Sequence, residues 1–276
     1  MTGLLTAQLL GMDLWQVLLV LLAGFWAGTI NSVIGSGTLV TFPTLVAVGF
    51  PPVTAQVSNA MGLVASGFSG TYGYRRELAQ SRALLPKLTV ASLLGGVIGA
   101  ALLTSLPPAV FGYVAPVLLV VALTVVVLQP RIQRWVRRRA EDQGPTPGAD
   151  SPVPVGPVTP TLWTLVFLTG IYGGYFGGGV GLMTTATYGL LAGVSPRAMF
   201  APRTLMLAVA NGAAAIVFAI AGMIVWAACL PMLVGAVLGG WIGADIGKRL
   251  PAGAVRVWTL LVTGATTLVF FWRAYA

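Results

Sequence analysis

The stretch Gly28-Thr29-Ile30-Asn31-Ser32-Val33-Ile34-Gly35-Ser36-Gly37-Thr38 recurs, altered, as Gly174-Tyr175-Phe176-Gly177-Gly178-Gly179-Val180-Gly181. Both copies interrupt a long apolar run. Clustered glycines weaken a helix. Irregular backbone at membrane depth is tolerated only where protein buries it or where it lines a cavity. Two such breaks, at matching places in two halves of one chain, point to the binding site of a transporter.

Composition supplies the membrane. Hydrophobic residues make up 57% of the 276 positions and charged residues 8%, against about 25% charged in a soluble domain. Leu14–Ile34, Leu84–Leu103, Ala109–Leu128, Leu205–Val225 and Val257–Trp272 each approach the roughly 20 residues that cross a hydrocarbon core. No basic region of a cleavable signal peptide precedes Leu14, so Leu14 onward reads as mature membrane protein. Histidine is absent and Cys229 is the single cysteine, which excludes an internal disulfide, a histidine metal site and a histidine-based triad. No metal or other cofactor is expected. The net charge of +9 does not point to nucleic acid, because the basic residues sit between apolar runs, where they orient a membrane protein.

The chain is an internal duplication. Leu94-Gly95-Gly96-Val97-Ile98-Gly99-Ala100 matches Leu238-Gly239-Gly240-Trp241-Ile242-Gly243-Ala244, and the same offset pairs Gly35 and Gly37 with Gly179 and Gly181, Gly49 with Gly193, and Leu106-Pro107 with Leu250-Pro251. Upstream of the clusters Gly24 and Gly28 pair with Gly170 and Gly174, so repeat 1 carries two extra residues within Asn31–Ile34. Three parts result: membrane repeat 1 over 1–130, a basic then Pro/Gly-rich cytoplasmic linker over 131–160, and membrane repeat 2 over 161–276. Each repeat offers a glycine-broken region and then three ordinary spans, near 54–74, 84–103 and 108–128 in the first and near 197–221, 226–247 and 252–272 in the second.

Charge sets the orientation. If every region crossed once, the repeats would be parallel. Arg197, Arg203, Lys248, Arg249 and Arg256 would then lie opposite Arg75, Arg76, Arg82, Lys87 and the linker arginines. If each broken region goes in and returns, the repeats are inverted, and every basic residue except Arg273 falls on one side or, for Arg203, within a span. The positive-inside rule favours the second arrangement. The expected fold is therefore an all-α integral membrane protein of two inverted-topology repeats. Each is a helical hairpin (a span plus a re-entrant half-helix) followed by three transmembrane helices, with 8 to 10 full spans in all. The Arg75–Lys87 loop, the Arg131–Pro160 linker and the Lys248–Arg256 loop are expected to be cytoplasmic.

Helices that restart after each cluster would point their N-termini into the membrane. Each presents unpaired N–H groups and roughly +0.5 charge, and two facing each other make an anion site. Asn31, Ser32, Gly35, Ser36, Gly37 and Thr38 from repeat 1 are the candidate substrate-binding residues there, with Gly177, Gly178, Gly179, Gly181, Thr184 and its neighbour Thr185 from repeat 2. Arg203, just after Pro202, joins them, because a charge at membrane depth marks function and a guanidinium fork suits oxyanions. Its repeat-1 counterpart is Asn59, preceded by Gln56 and Ser58. The alternatives are close helix packing for the glycines and an interfacial, snorkelling role for Arg203. Packing is the expectation for Gly95, Gly96, Gly99, Gly239, Gly240 and Gly243. Asn211 is a weaker candidate, and Asp245 reads as a local partner of Lys248 or Arg249. A membrane-embedded enzyme would need titratable groups that this chain lacks, and Ser36 has no evident base. A passive anion channel is the other alternative, but broken helices in inverted repeats favour alternating access.

The motif G-x-x-N-S-x-x-G-x-G at Gly28–Gly37, followed by Phe42-Pro43, and the motif G-x-x-G-G-G-x-G at Gly174–Gly181 resemble those of the TauE/SafE family of sulfite and sulfonate exporters. Ser36 and Thr38 stand where that family often has more glycine, and Thr187-Tyr188 takes the place of a second Phe-Pro. The resemblance implies a multi-pass protein of the bacterial inner membrane. It would move small anions, sulfite, sulfonates or related organosulfur oxyanions, with a proton or sodium as a possible coupling ion.

Overall fold

A computed structural model describes residues 8–9, 11–33, 35–80, 84–142, 158–191 and 200–246, with isolated positions between 257 and 272. Ten helices lie among them. A two-residue strand pair, β1 (Gln8–Leu9) and β2 (Met12–Asp13), leads into α1 (Leu14–Val33), α2 (Thr38–Val48), α3 (Pro52–Gly73) and the short α4 (Arg75–Gln80). Then come α5 (Leu85–Ser105), α6 (Pro108–Asp142), α7 (Pro160–Tyr175), α8 (Val180–Leu191), α9 (Phe200–Ile220) and α10 (Trp226–Ile246). Among the described residues, four stretches are long and apolar enough to cross a membrane: Leu14–Asn31, Leu85–Ser105, Pro108–Ile132 and Ala201–Ile220. The protein is an all-α membrane protein.

Helices stop and restart where the sequence says they should. Gly35 has φ +76°, and Gly177 and Gly179 have φ +77° and +73°, a region closed to most L side chains. α2 runs only to Val48, about 16 Å at helical rise, and ends on Gly49 at φ 112°. Pro43 lies inside it and leaves the Leu39 carbonyl without its N–H partner; Thr263 Oγ1 donates to that carbonyl at 2.9 Å. The basic run departs from the linker expectation. α6 continues through it to Asp142, a helix of 35 residues, or about 52 Å, longer than a bilayer core needs. Residues 143–157 and the Lys248–Arg256 loop lie outside the described set.

Two ends of the bundle can be told apart. At one, Gln16 in the first turn of α1 donates Nε2 to the Val48 carbonyl at 3.2 Å, and Gly49, Phe50, Val225 and Ala227 gather around the same spot. So α2 returns to the end where α1 began, and the α9–α10 turn is there too. At the other end, α3 finishes at Tyr74 beside Thr204 of α9. Leu84 and Leu88 at the start of α5 cluster there with Leu162 and Val166 of α7 and Met206 of α9. α6 follows α5 through a two-residue turn and so brings Arg131, Arg134 and Arg138 back to this second end, which also carries Arg75 and Arg76. We call it the basic end.

Packing exchanges the halves. The most extensive interfaces are α1 on α10 and α7 on α5, followed by α9 on α5 and α3 on α10; the first helix of each half lies on a later helix of the other. Glycine makes this possible. A Cβ at Gly95 or Gly99 would run into the backbone of Phe167 or Ile171, and one at Gly235 or Gly239 into that of Leu21 or Phe25. The sequence offset pairs Gly95 with Gly239, whereas in space Gly95 corresponds to Gly235. The second interface has therefore slid by one helical turn, which a glycine ladder repeating every four residues permits. Gly96→Val would place its Cβ 2.6 Å from the Ala210 carbonyl oxygen. We expect it to cost about 1–3 kcal/mol by overpacking, read as a lower melting midpoint in detergent.

Candidate functional site

The two glycine breaks touch. Gly181, in the first turn of α8, donates its N–H to the Gly35 carbonyl at 3.2 Å. The approach is close enough that a Cβ on Gly35 would lie 3.1 Å from Gly181 Cα, and one on Gly181 2.8 Å from Gly35 Cα. The starts of α2 and α8 thus meet inside the protein, each bringing the positive end of a short helix.

Part of that donor set is already engaged. Asn31 Oδ1 accepts from the Gly37 N–H at 2.7 Å, so Asn31, near the end of α1, holds the residue from which α2 starts. Its amide nitrogen reaches toward Ser66 Oγ at 3.5 Å. Gly35 N–H closes the end of α1 on the Ile30 carbonyl at 3.1 Å. Thr184 and Thr185 turn their hydroxyls back onto Val180 and Gly181 at 2.8 Å each. Ser36 Oγ is buried with no hydrogen-bond partner among the described residues. Nothing is described of the Ser32 side chain.

Arg203 lies against this junction, only 3% exposed. A Cβ on Gly35 would stand 3.3 Å from its guanidinium carbon, and its Nη1 donates to Thr185 Oγ1 at 3.4 Å. Because Arg203 falls in the first turn of α9, its side chain reaches the breaks from the basic end.

α3 ties the junction together. Asn59 Nδ2 donates to Thr38 Oγ1 at 3.3 Å, and Thr41 Oγ1 donates to Asn59 Oδ1. One turn earlier, Gln56 Nε2 donates to the Phe176 carbonyl at 2.9 Å. One face of α3 therefore holds the start of α2 and the end of α7. Asn59 was a sequence candidate; the role of Gln56 had no sequence signal beyond its polarity in an apolar run.

A cavity of about 30 Å³ opens onto the junction. Asn31, Gly35, Thr38 and Gly177 of the sequence candidates line it, and so does Asn211. Leu63, Ser66, Gly67 and Gly70 of α3, and Tyr74 just after it, complete the wall with Val180, Thr204 and Leu207; sequence reasoning passed over these. Ser36, Gly37, Asn59, Gly181, Thr184 and Arg203 do not line the cavity. Gly178 and Gly179 serve other contacts. A Cβ on Gly178 would lie 2.6 Å from the Phe176 ring, and one on Gly179 3.5 Å from Ala122 of α6. Gly179 is needed for its positive φ, not for room at the cavity. The described residues include no group of three or more Cys, Asp or Glu that could hold a metal ion.

A family model described as sulfite exporter TauE/SafE matches residues 20–270. A Sinorhizobium protein named "Probable membrane transporter protein ORF9" is 32% identical over 244 residues, covering 87% of this chain and 85% of that one. A Haemophilus influenzae protein named "Probable membrane transporter protein" is 26% identical over 261 residues, covering 92% and 94%. An Escherichia coli K12 protein named "Probable membrane transporter protein YfcA" is 27% identical over 232 residues, covering 81% and 76%. No solved structure gives a match.

Proposed function

The chain belongs to the sulfite exporter TauE/SafE family, and on that premise we propose that it carries small oxyanions, sulfite or a sulfonate first among them, out across a bacterial plasma membrane by alternating access.

One observation carries it: a buried guanidinium set against the meeting point of two helix starts. Each element there has the sign that attracts an anion, since the helix ends bring N–H groups and partial positive charge. Buried positive charge is costly in a membrane and is retained where it serves a substrate or ion. Neighbouring hydroxyls on Ser36 and Thr38 add donors suited to a tetrahedral or pyramidal oxyanion.

Inverted-topology repeats belong to the same proposal. The directions of α1 and α7 support it, since each begins at the end opposite the other. So does the gathering of Arg75, Arg131 and Arg138 at one end, which the positive-inside rule makes cytoplasmic. In a Cys229→Ala background, Ala79→Cys at the basic end should be shielded from an impermeant thiol reagent in intact cells, and Ala221→Cys at the opposite end should react. The reverse pattern would turn the protein over.

Flux tests the substrate. Purified protein in liposomes should move sulfite or a small sulfonate with saturation at rising concentration. The same anions should raise the melting midpoint, because only a ligand that prefers the folded state does so. Flux without saturation would make the protein a channel, and no flux of any small oxyanion would remove the proposal.

A further inference from the structure

We propose that the seam between α3 and α9 is the route by which the anion reaches the breaks from the basic end, and that a buried aromatic cluster closes the way to the opposite end. This rests on the anion-carrier reading above.

The route is the cavity itself. Asn31, Gly35 and Thr38 form its floor at the breaks, and Tyr74 stands at the last residue before the basic α4. Its α3 wall recurs at positions 63, 66, 67 and 70, continued by Tyr74 at the end of that helix, and its α9 wall at 204, 207 and 211. Spacings of three and four place each set on one helix face. Glycine lets the two helices close up, so the seam is narrow in this structure. A Cβ on Gly67 would lie 3.0 Å from Ala208 Cα, and one on Gly70 3.1 Å from the Thr204 methyl. Thr204 and Asn211 line the route with a hydroxyl and an amide, groups that can donate to an anion leaving water, whereas the Ser66 hydroxyl donates to the Leu63 carbonyl at 2.8 Å. Beyond Tyr74, Arg75 lies over the Tyr72 ring at 4.6 Å, and positive charge at a narrow mouth raises the local concentration of anions.

The other side of the breaks is built differently. Phe42 of α2 packs edge-on against Phe176 with ring centroids 5.4 Å apart and against Phe111 at 6.1 Å; Phe111 in turn meets Tyr175 at 5.5 Å. Phe42, Phe111 and Phe176 are at most 1% exposed. Phe111 stands in the first turn of α6 and Phe42 on the returning half-helix, so the cluster lies between the breaks and the opposite end. The same core continues through Val46 and Phe50 to that end. An anion passes only if these rings part. The seam and the cluster are thus the two gates that alternating access needs, here with a narrow cavity of about 30 Å³ on the basic side and packed rings on the opposite side.

The test uses the full-length protein with Cys229→Ala, in vesicles of both orientations, and the impermeant anion 2-sulfonatoethyl methanethiosulfonate as the reagent. Ser66→Cys and Leu207→Cys should react from the basic end at least tenfold faster than from the opposite end. Ile216→Cys, on an exposed apolar face of α9, should react from neither. Adding Phe111→Ala, or Phe111→Leu if the alanine variant does not fold, should raise the rate from the opposite end. Equal rates from both ends, faster reaction from the opposite end, or no reaction at either seam position would overturn the route. Slowing of the seam reaction by excess sulfite is a separate readout. Its absence counts against sulfite as substrate, whereas the sidedness of the reaction still decides the route.

Discussion

Gly181→Val is expected to abolish transport while leaving a folded, membrane-inserted protein. A Cβ there would lie 2.5 Å from the Gly35 carbonyl oxygen and 2.8 Å from Gly35 Cα. Both obstacles are backbone, so no side-chain rearrangement relieves them, and the N–H to carbonyl bond that joins the breaks is lost as they separate. The strain, about 1–3 kcal/mol by overpacking, is confined to the junction. The large interfaces of α1 with α10 and α5 with α7 are untouched. Gly179→Ala is the informative comparison. Its Cβ has ordinary room against Ala122, and its cost is the positive φ, roughly 1–2 kcal/mol. It should lower the melting midpoint measurably yet keep part of the flux. If Gly181→Val transported normally at parental stability, the two breaks would not need to touch, and the site would lie elsewhere. Equal loss in both variants, matched to equal loss of stability, would mean the glycines serve only to turn the chain.

The contrast between these two glycines marks how far the sequence could be read. Both breaks, the half-length of α2 and the restart at Val180 were legible, because clustered glycine and short apolar runs are local signals. So were most helix limits: the expected spans at 54–74, 84–103, 197–221 and 226–247 became α3, α5, α9 and α10 within a few residues. What each glycine is for was not legible. Gly35 and Gly181 face one another, Gly37 packs on Ala27 and Asn31, and Gly179 faces α6, yet all four look alike in a motif. The one-turn slide of the second glycine ladder was equally hidden, since residues repeating every four positions fit their partner in more than one register. Gln56 on the Phe176 carbonyl joins residues far apart in the chain, and no spacing rule reaches that far. The α6 extension to Asp142 was hidden for the opposite reason. Arginines and glutamate are good helix formers, but a basic run after an apolar span reads first as the edge of the membrane.

Arg203 carries the second large effect. In the parent its guanidinium lies against Gly35 and donates to Thr185, held where two helix starts meet. A bound oxyanion would face the planar fork, so loss of the side chain should weaken anion binding by about 1.5–3 kcal/mol, or roughly ten- to over a hundredfold in Kd. Arg203→Lys keeps the charge but offers a compact point donor on a flexible stem, so it should weaken binding less than Arg203→Ala. Arg203→Gln keeps hydrogen bonding without charge and should resemble the alanine variant. That ordering separates charge from mere polarity. The measurement is the anion-induced rise in melting midpoint, titrated for each variant against its own anion-free baseline, since removing a buried arginine also removes its support of Thr185 and shifts that baseline. A purely structural arginine would lower the baseline and leave the titration midpoint where it was. That result would take Arg203 out of the site, leaving the anion to backbone N–H groups and hydroxyls at the breaks.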